Sequence, residues 1–240
     1  MKTLSTLFCS VLITACAHHP TSFSPGKPMP ERAERSSATQ FMKTDFDRMA
    51  DVELAENTLS LKTLMLKLYK RNPQELAKST SDPAEKMVTW VFEGELQHHW
   101  QFADMQNKQG TEAIHLSFHP DYQGDRVLAF IVGIQTMLQK AHSDKKEFFL
   151  TDSIDPQSVY NVARNVEIAA WKLSNSRKPN GELYLLSNEL NAQARNLTFE
   201  REFGKIIGRT DLFAFMLAEK SERLISRITQ NIATMAFLPF

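Results

Sequence analysis

The chain has 240 residues, 42% of them apolar and 23% charged, with 28 basic residues against 28 acidic ones. That length and apolar fraction suffice for one large domain or two small ones with a buried core. The even charge balance argues against a nucleic-acid partner, which requires a surplus of Lys and Arg concentrated on one face.

The first sixteen residues have a plan of their own. Lys2 supplies a positive start, and Leu4 to Ile13 form an apolar stretch shorter than the roughly 20 residues a membrane-spanning helix needs. This is the pattern of a signal peptide, residues 1 to 15. It ends in Ile13-Thr14-Ala15-Cys16, a branched apolar residue, two small residues and a cysteine, which resembles the lipobox of bacterial lipoproteins. The resemblance implies cleavage after Ala15, a diacylglyceryl thioether on Cys16, and fatty acylation, such as by palmitate, of the new amino terminus. Ala17 is not Asp, and by the same resemblance this favours the outer membrane, with the domain facing the periplasm. Cys9 falls in the discarded segment, so Cys16 is the only cysteine kept. The exported domain then holds no thiol and no disulfide, which excludes thiol nucleophiles, zinc-thiolate centres and iron-sulfur clusters.

Residues 16 to 38 carry the lipidated cysteine and a tether. Pro20, Pro25, Pro28 and Pro30 stand among Ser and Gly, with apolar residues too scattered to offset the cost of ordering. Residues 39 to 240 form the folded part, and its elements are predicted to be helical. From Thr44 to Lys70, Phe46, Met49, Leu54, Leu61, Leu64, Met65 and Leu68 recur at helical spacing. Asn72-Pro73 with Glu75, Asp82-Pro83 with Glu85, and Asp155-Pro156 each read as a helix start. The second of these is predicted to run on through Trp100 and Phe102. Residues 107 to 125, with Gly110, Pro120 and Gly124, read as the least regular region, and Ala113 to Phe118 as a short extended piece. Val127 to Leu138 is apolar around its whole circumference, which predicts a central helix; a buried strand is the competing reading, and length favours the helix.

Asp155 to Leu173 is the clearest helix. Val159, Val162, Ala163, Val166, Ala170 and Leu173 make its inner face, with Tyr160, Ile168 and Trp171 in a second stripe that Arg164 interrupts, three positions before Glu167. Pro179 and Gly181 break it, and Leu183 to Leu186 is briefly extended. Thr198 to Ile207 reads as a short helix ended by Gly208, with Thr210-Asp211 capping a last long one from Leu212 to about Met235. The fold class is therefore mainly α, a bundle of six to eight helices with at most a few short extended segments.

Candidate chemistry is sparse. No Gly-rich phosphate loop or nucleophile elbow occurs, which argues against a nucleotide partner, and no cofactor is expected. Glu93, Glu95, His98, His99, His115 and His119 are the strongest polar cluster for a metal. Pro120 disfavours helical geometry at His119, and the pair lacks the glutamate of hydrolytic zinc helices, so no metal site is expected. Glu167, Glu200 and Glu202 are the carboxylates that glycoside hydrolysis could use. Arg164 with Glu167, and the string Arg195, Asn196, Glu200 and Arg201, form a candidate structural or interaction cluster. Phe237 and Phe240 are expected to pack onto the domain. The Asp155 to Gly208 portion is similar to poorly characterised proteobacterial envelope lipoproteins, a resemblance that carries no catalytic residues. The reading is a lipid-anchored envelope protein, more binder than enzyme, whose helical domain binds another envelope component, a protein above all. A peptidoglycan hydrolase and a carrier of lipid or another apolar ligand are the alternatives.

Overall fold

The computed structural model describes residues 43–149, 152–190, 195–223, 225 and 237–240. Cys16, the leader and the tether lie outside the described residues, as does the stretch up to Met235. Eight α-helices stand among the described residues: α1 Asp45–Arg71, α2 Pro73–Ser79, α3 Ala84–Glu93, α4 Glu95–His98, α5 Gly110–Ser117, α6 Arg126–Ala141, α7 Pro156–Asn175 and α8 Thr198–Ser221. A 3-10 turn covers Ala103–Met105, and the two-residue strands β1 Glu189–Leu190 and β2 Arg195–Asn196 pair antiparallel. The molecule is mainly helical, as the apolar periodicity predicts.

The longest helix, α1, starts from a capping box: Thr44 Oγ1 accepts the Asp47 N–H at 3.2 Å and the Asp47 carboxylate accepts the Thr44 N–H at 2.7 Å. Its second half buries Leu61, Leu64, Met65 and Leu68 completely. Nearer its start, Asp47, Asp51, Glu53, Asn57 and Ser60 share the interior positions with Ala50 and Leu54. Polar residues on a core face need partners in the fold, and these supply most of the polar ties between helices.

Helix α6 is the centre, as its all-round apolar sequence requires; a strand there is ruled out. Every residue but Lys140 is buried. Asp125 caps it, accepting from the N–H groups of Val127 and Leu128, and the same carboxylate takes hydroxyls from Tyr69 and Ser79. Burial holds that carboxyl above its ordinary range, opposed by these hydrogen bonds, and pushes the Tyr69 hydroxyl far up. Helices α1, α5 and α7 surround α6, and α8 runs between α1 and α7.

Several local signals gave way to tertiary ones. Ala113 to Phe118 lies in helix α5 and the following turn rather than in an extended piece. The helix exists because it seats on Gly133 of α6, where an added Cβ would stand 2.6 Å from Ile114 and 2.7 Å from the Gly110 carbonyl. The segment expected to be one helix through Trp100 and Phe102 breaks at Gly94, where any side chain would press on the Trp90 carbonyl at 2.5 Å. The chain then reverses through His99 and Trp100, both left-handed at φ 48° and 56°.

Two of the three Asx-Pro starts do not cap with their side chains. Asn72 spends its amide across Leu68 O, Leu186 O and Leu186 N–H, tying α1 to the segment after α7. Glu75 turns to Lys78 and the Arg126 N–H, and Asp82 to Lys86. Only Asp155 caps, accepting from the Ser158 N–H at 2.9 Å. Gly208 does not end a helix; α8 runs straight through it. Thr210 is fully buried, and its hydroxyl donates to Glu53 while accepting from Asn57, so it bridges helices instead of starting one. Phe237 and Phe240 pack against the core as expected, and Asn161 and Asn165 of α7 bond the backbone at Pro239 and Leu238.

Candidate functional site

Arg164 and Glu167 stand where helices α7 and α8 meet at the surface. On α7, Tyr160, Arg164, Glu167 and Trp171 follow at spacings of four, three and four, a single stripe. On α8, Gly204, Gly208, Asp211 and Phe215 repeat that spacing. Two contacts set the register. The rings of Tyr160 and Phe215 lie 6.2 Å apart, and the Arg164 guanidinium donates to Asp211. The helices are therefore antiparallel, and the register continued along them sets Glu167 opposite Gly208 and Trp171 opposite Gly204.

Arg164 is the hub of this seam. Besides Asp211 it reaches Glu167 at 3.2 Å, and its guanidinium lies 5.0 Å from the Tyr160 ring. The expected pair with Glu167 is present, but the stronger partner is Asp211, forty-seven residues away. Side-chain exposure is 17% for Arg164, 25% for Asp211 and 43% for Glu167, so the triad is half-sunk rather than buried. Burial raises the Glu167 carboxyl above its ordinary value; Asp211 adds to that and Arg164 opposes it.

Beyond the triad the seam opens. Trp171 is 40% exposed; at the other end, Phe215 and Leu212 are exposed as well. Cβ atoms built at Gly204 or Gly208 would meet nothing within 4 Å. By the register, the Trp171 end of the seam offers bare helix backbone on α8 and an exposed indole on α7, a shape that admits a close-approaching helix or loop.

The other candidates do not converge. Glu200 is exposed and accepts from the Asn188 amide. Arg201 is exposed too, and both lie about ten residues, roughly 15 Å of helix axis, from Asp211. Asn196 caps its own turn toward Thr198. Glu202 pairs with Lys205 at 2.7 Å and Glu167 with Arg164 at 3.2 Å. The histidines are dispersed. His98 is locked between Val91 O and the Trp100 N–H, His115 lies against Phe237, and His119 lies beside Asp121. Among the described residues, no group of three or more His, Cys, Asp or Glu could hold a metal ion. No described helix is long and apolar enough to cross a membrane.

Two features lie outside the sites that sequence reasoning singled out. The first is an interior polar network. Glu53 accepts from Asn57 and Thr210, its second oxygen lies 3.0 Å from His142 Nε2, and His142 stacks on Phe213 while its Nδ1 bonds Leu138 O. Arg209 extends it, donating to Asn57, Ser60 and the Glu56 carbonyl. These groups join α1, α6 and α8. The second is a pocket of about 630 Å³ between α3 and the reversed chain behind it, lined by Trp90, His98, Gln101, Phe102 and Asp104. The placement of Glu53, Asn57 and Ser60 on the stripe that includes Leu61 and Leu64 was the available clue to the network; only the break at Gly94 creates the pocket. No protein-family model, curated protein or solved structure matches this chain.

Proposed function

We propose that the protein is a lipid-anchored component of the bacterial envelope, held at the outer membrane by Cys16, whose periplasmic helical domain binds a second envelope protein through the α7/α8 seam. The observation that carries the reading is the surface of that seam: an exposed Trp171 on α7, and on α8 open backbone at Gly204 and Gly208, which the register sets toward the same end. An indole costs little conformational entropy to fix and contributes a large contact area, and two adjacent glycine positions let a partner's backbone come close. Arg164, partly uncovered and already oriented by Asp211, adds directional hydrogen bonding at the edge. The lipobox and the proline-rich tether support the anchoring half of the reading.

The test is photocrosslinking in growing cells with a photoreactive residue at position 171, 204 or 212. The same protein band is expected from all three positions, in the membrane fraction, and is expected to weaken when Arg164 is replaced by Ala. Crosslinks from none of these positions, with the protein otherwise folded and lipidated, would overturn the assignment of the seam.

A further inference from the structure

The pocket behind α3 is built from different helices than the α7/α8 seam and goes beyond the protein-binding reading. Its wall is an aromatic cluster. Trp90 is 46% exposed, although α3 turns Met87, Val88, Val91 and Phe92 inward. Beneath it, the Phe102 ring meets the indole edge-on at 5.7 Å, the His98 ring lies at 5.3 Å, and His98 and Phe102 are 4.7 Å apart. His98 cannot swing away: its Nδ1 accepts the Trp100 N–H at 2.9 Å, so its Nε2 carries the proton donated to Val91 O at 3.0 Å. The indole is thus an exposed flat surface with a rigid backing.

The rim has a different chemistry. Gln101 and Asp104 are exposed, and among the described residues neither side chain has a hydrogen bond or ion pair. Asp82 is neutralised by Lys86 at 3.2 Å. A phosphorylated or otherwise anionic ligand would find the pocket's Lys86 already paired with Asp82 and would face Asp104, whereas a compact cation would find Asp82 already paired. A neutral ring with an apolar C–H face and hydroxyls around its edge suits both parts: the face lies on Trp90 and the hydroxyls reach Gln101 and Asp104. The volume of about 630 Å³ is in the range of small-molecule sites.

We infer that this pocket binds a neutral saccharide, with Trp90 as its stacking surface and Gln101 and Asp104 as its hydroxyl partners. Binding of this kind needs no reaction and is independent of the protein partner at the seam.

The experiment is calorimetric titration of the purified full-length protein in detergent with the trisaccharide of N-acetylglucosamine, and separately with tetramethylammonium as a cation probe. Saturable sugar binding with a Kd of about 1 mM or tighter is expected. Trp90→Ala should weaken it by about tenfold or more, Trp90→Phe by less, and Trp171→Ala not at all. Gln101→Ala and Asp104→Asn alter exposed side chains and leave the fold intact, so they decide the matter if Trp90→Ala fails to fold; each should weaken sugar binding about threefold or more. No saturable sugar binding up to about 10 mM would overturn the inference. So would sugar binding indifferent to Gln101 and Asp104, or tetramethylammonium binding that Asp104→Asn abolishes while the sugar has no effect. Because the titration contains no second protein, its failure leaves the seam proposal standing, and a failed crosslink leaves this one standing.

Discussion

Replacing Gly204 and Gly208 by Ala is expected to push folding and partner binding in opposite directions. Both glycines lie inside α8, a helix of 24 residues, and a glycine in a helix interior costs about 0.5 to 1 kcal/mol relative to Ala, because the unfolded chain has more freedom to lose. A substitution usually risks a collision, but here the added methyl meets nothing within 4 Å at either site. The entropic gain should therefore appear, about 1 to 2 kcal/mol for the double variant, with the two methyls one turn apart on the same open stripe. For a folded domain of this size, each kcal/mol raises Tm by roughly 2 to 4 °C. Urea melts followed by circular dichroism would measure the gain at constant m-value. The same methyls fill the open end of the seam, so crosslinking from position 171 should fall by about tenfold if a partner backbone comes close there. Destabilisation by either alanine would refute the claim that α8 is unencumbered at these positions, and a stabilised variant with undiminished crosslinking would show that the glycines face no partner.

Three further perturbations test other parts of the account. Arg164→Ala should cost about 1 to 3 kcal/mol, between the values for exposed and buried pairs, and a double-mutant cycle with Asp211→Asn should return a coupling of about 1 kcal/mol or more; additive single-variant effects would show that the pair is incidental. Thr210→Val keeps the shape of the buried side chain but leaves Glu53 and Asn57 each short of a partner. A loss of about 1 to 3 kcal/mol is expected in a urea melt, with Thr210→Ser recovering most of it, and a neutral Val variant would contradict the network. Cys16→Ser should release the protein from the membrane fraction without changing its melting curve, and mass spectrometry showing no fatty acid on wild-type Cys16 would remove the basis for the anchor.

The long helices α1, α6 and α7 were legible because their apolar residues repeat at helical spacing and because packing alone suffices to bury them. What local reading misplaced has a consistent physical cause. Gly208 followed by Thr210 and Asp211 imitates the end of one helix and the cap of the next, yet both polar residues are claimed by distant groups, Thr210 by Glu53 and Asn57 and Asp211 by Arg164. Asn72 resembles a cap by composition but serves as a cross-brace to Leu186. Helix α5 looked irregular because Gly110 and Pro120 bracket it, and its regularity comes from seating on Gly133. The candidate site was half visible: Arg164 and Glu167 are three residues apart and face the same way, whereas no spacing rule connects Arg164 with Asp211. The Trp90 pocket was hidden for a related reason. The indole reads as one more apolar residue of an amphipathic helix until Gly94 stops that helix and brings Phe102 back beneath it.

Helix α6 has a consequence for how the domain holds together. With only Lys140 reaching water, the helix is sheathed by its neighbours, and none of α1, α5 or α7 can lift away without wetting it. Partial opening is therefore costly wherever it starts, and amide protons along α6 must wait for complete unfolding before they trade with solvent. The surface features at the seam and behind α3 can thus vary in sequence while the central rod keeps the whole assembly one cooperative unit.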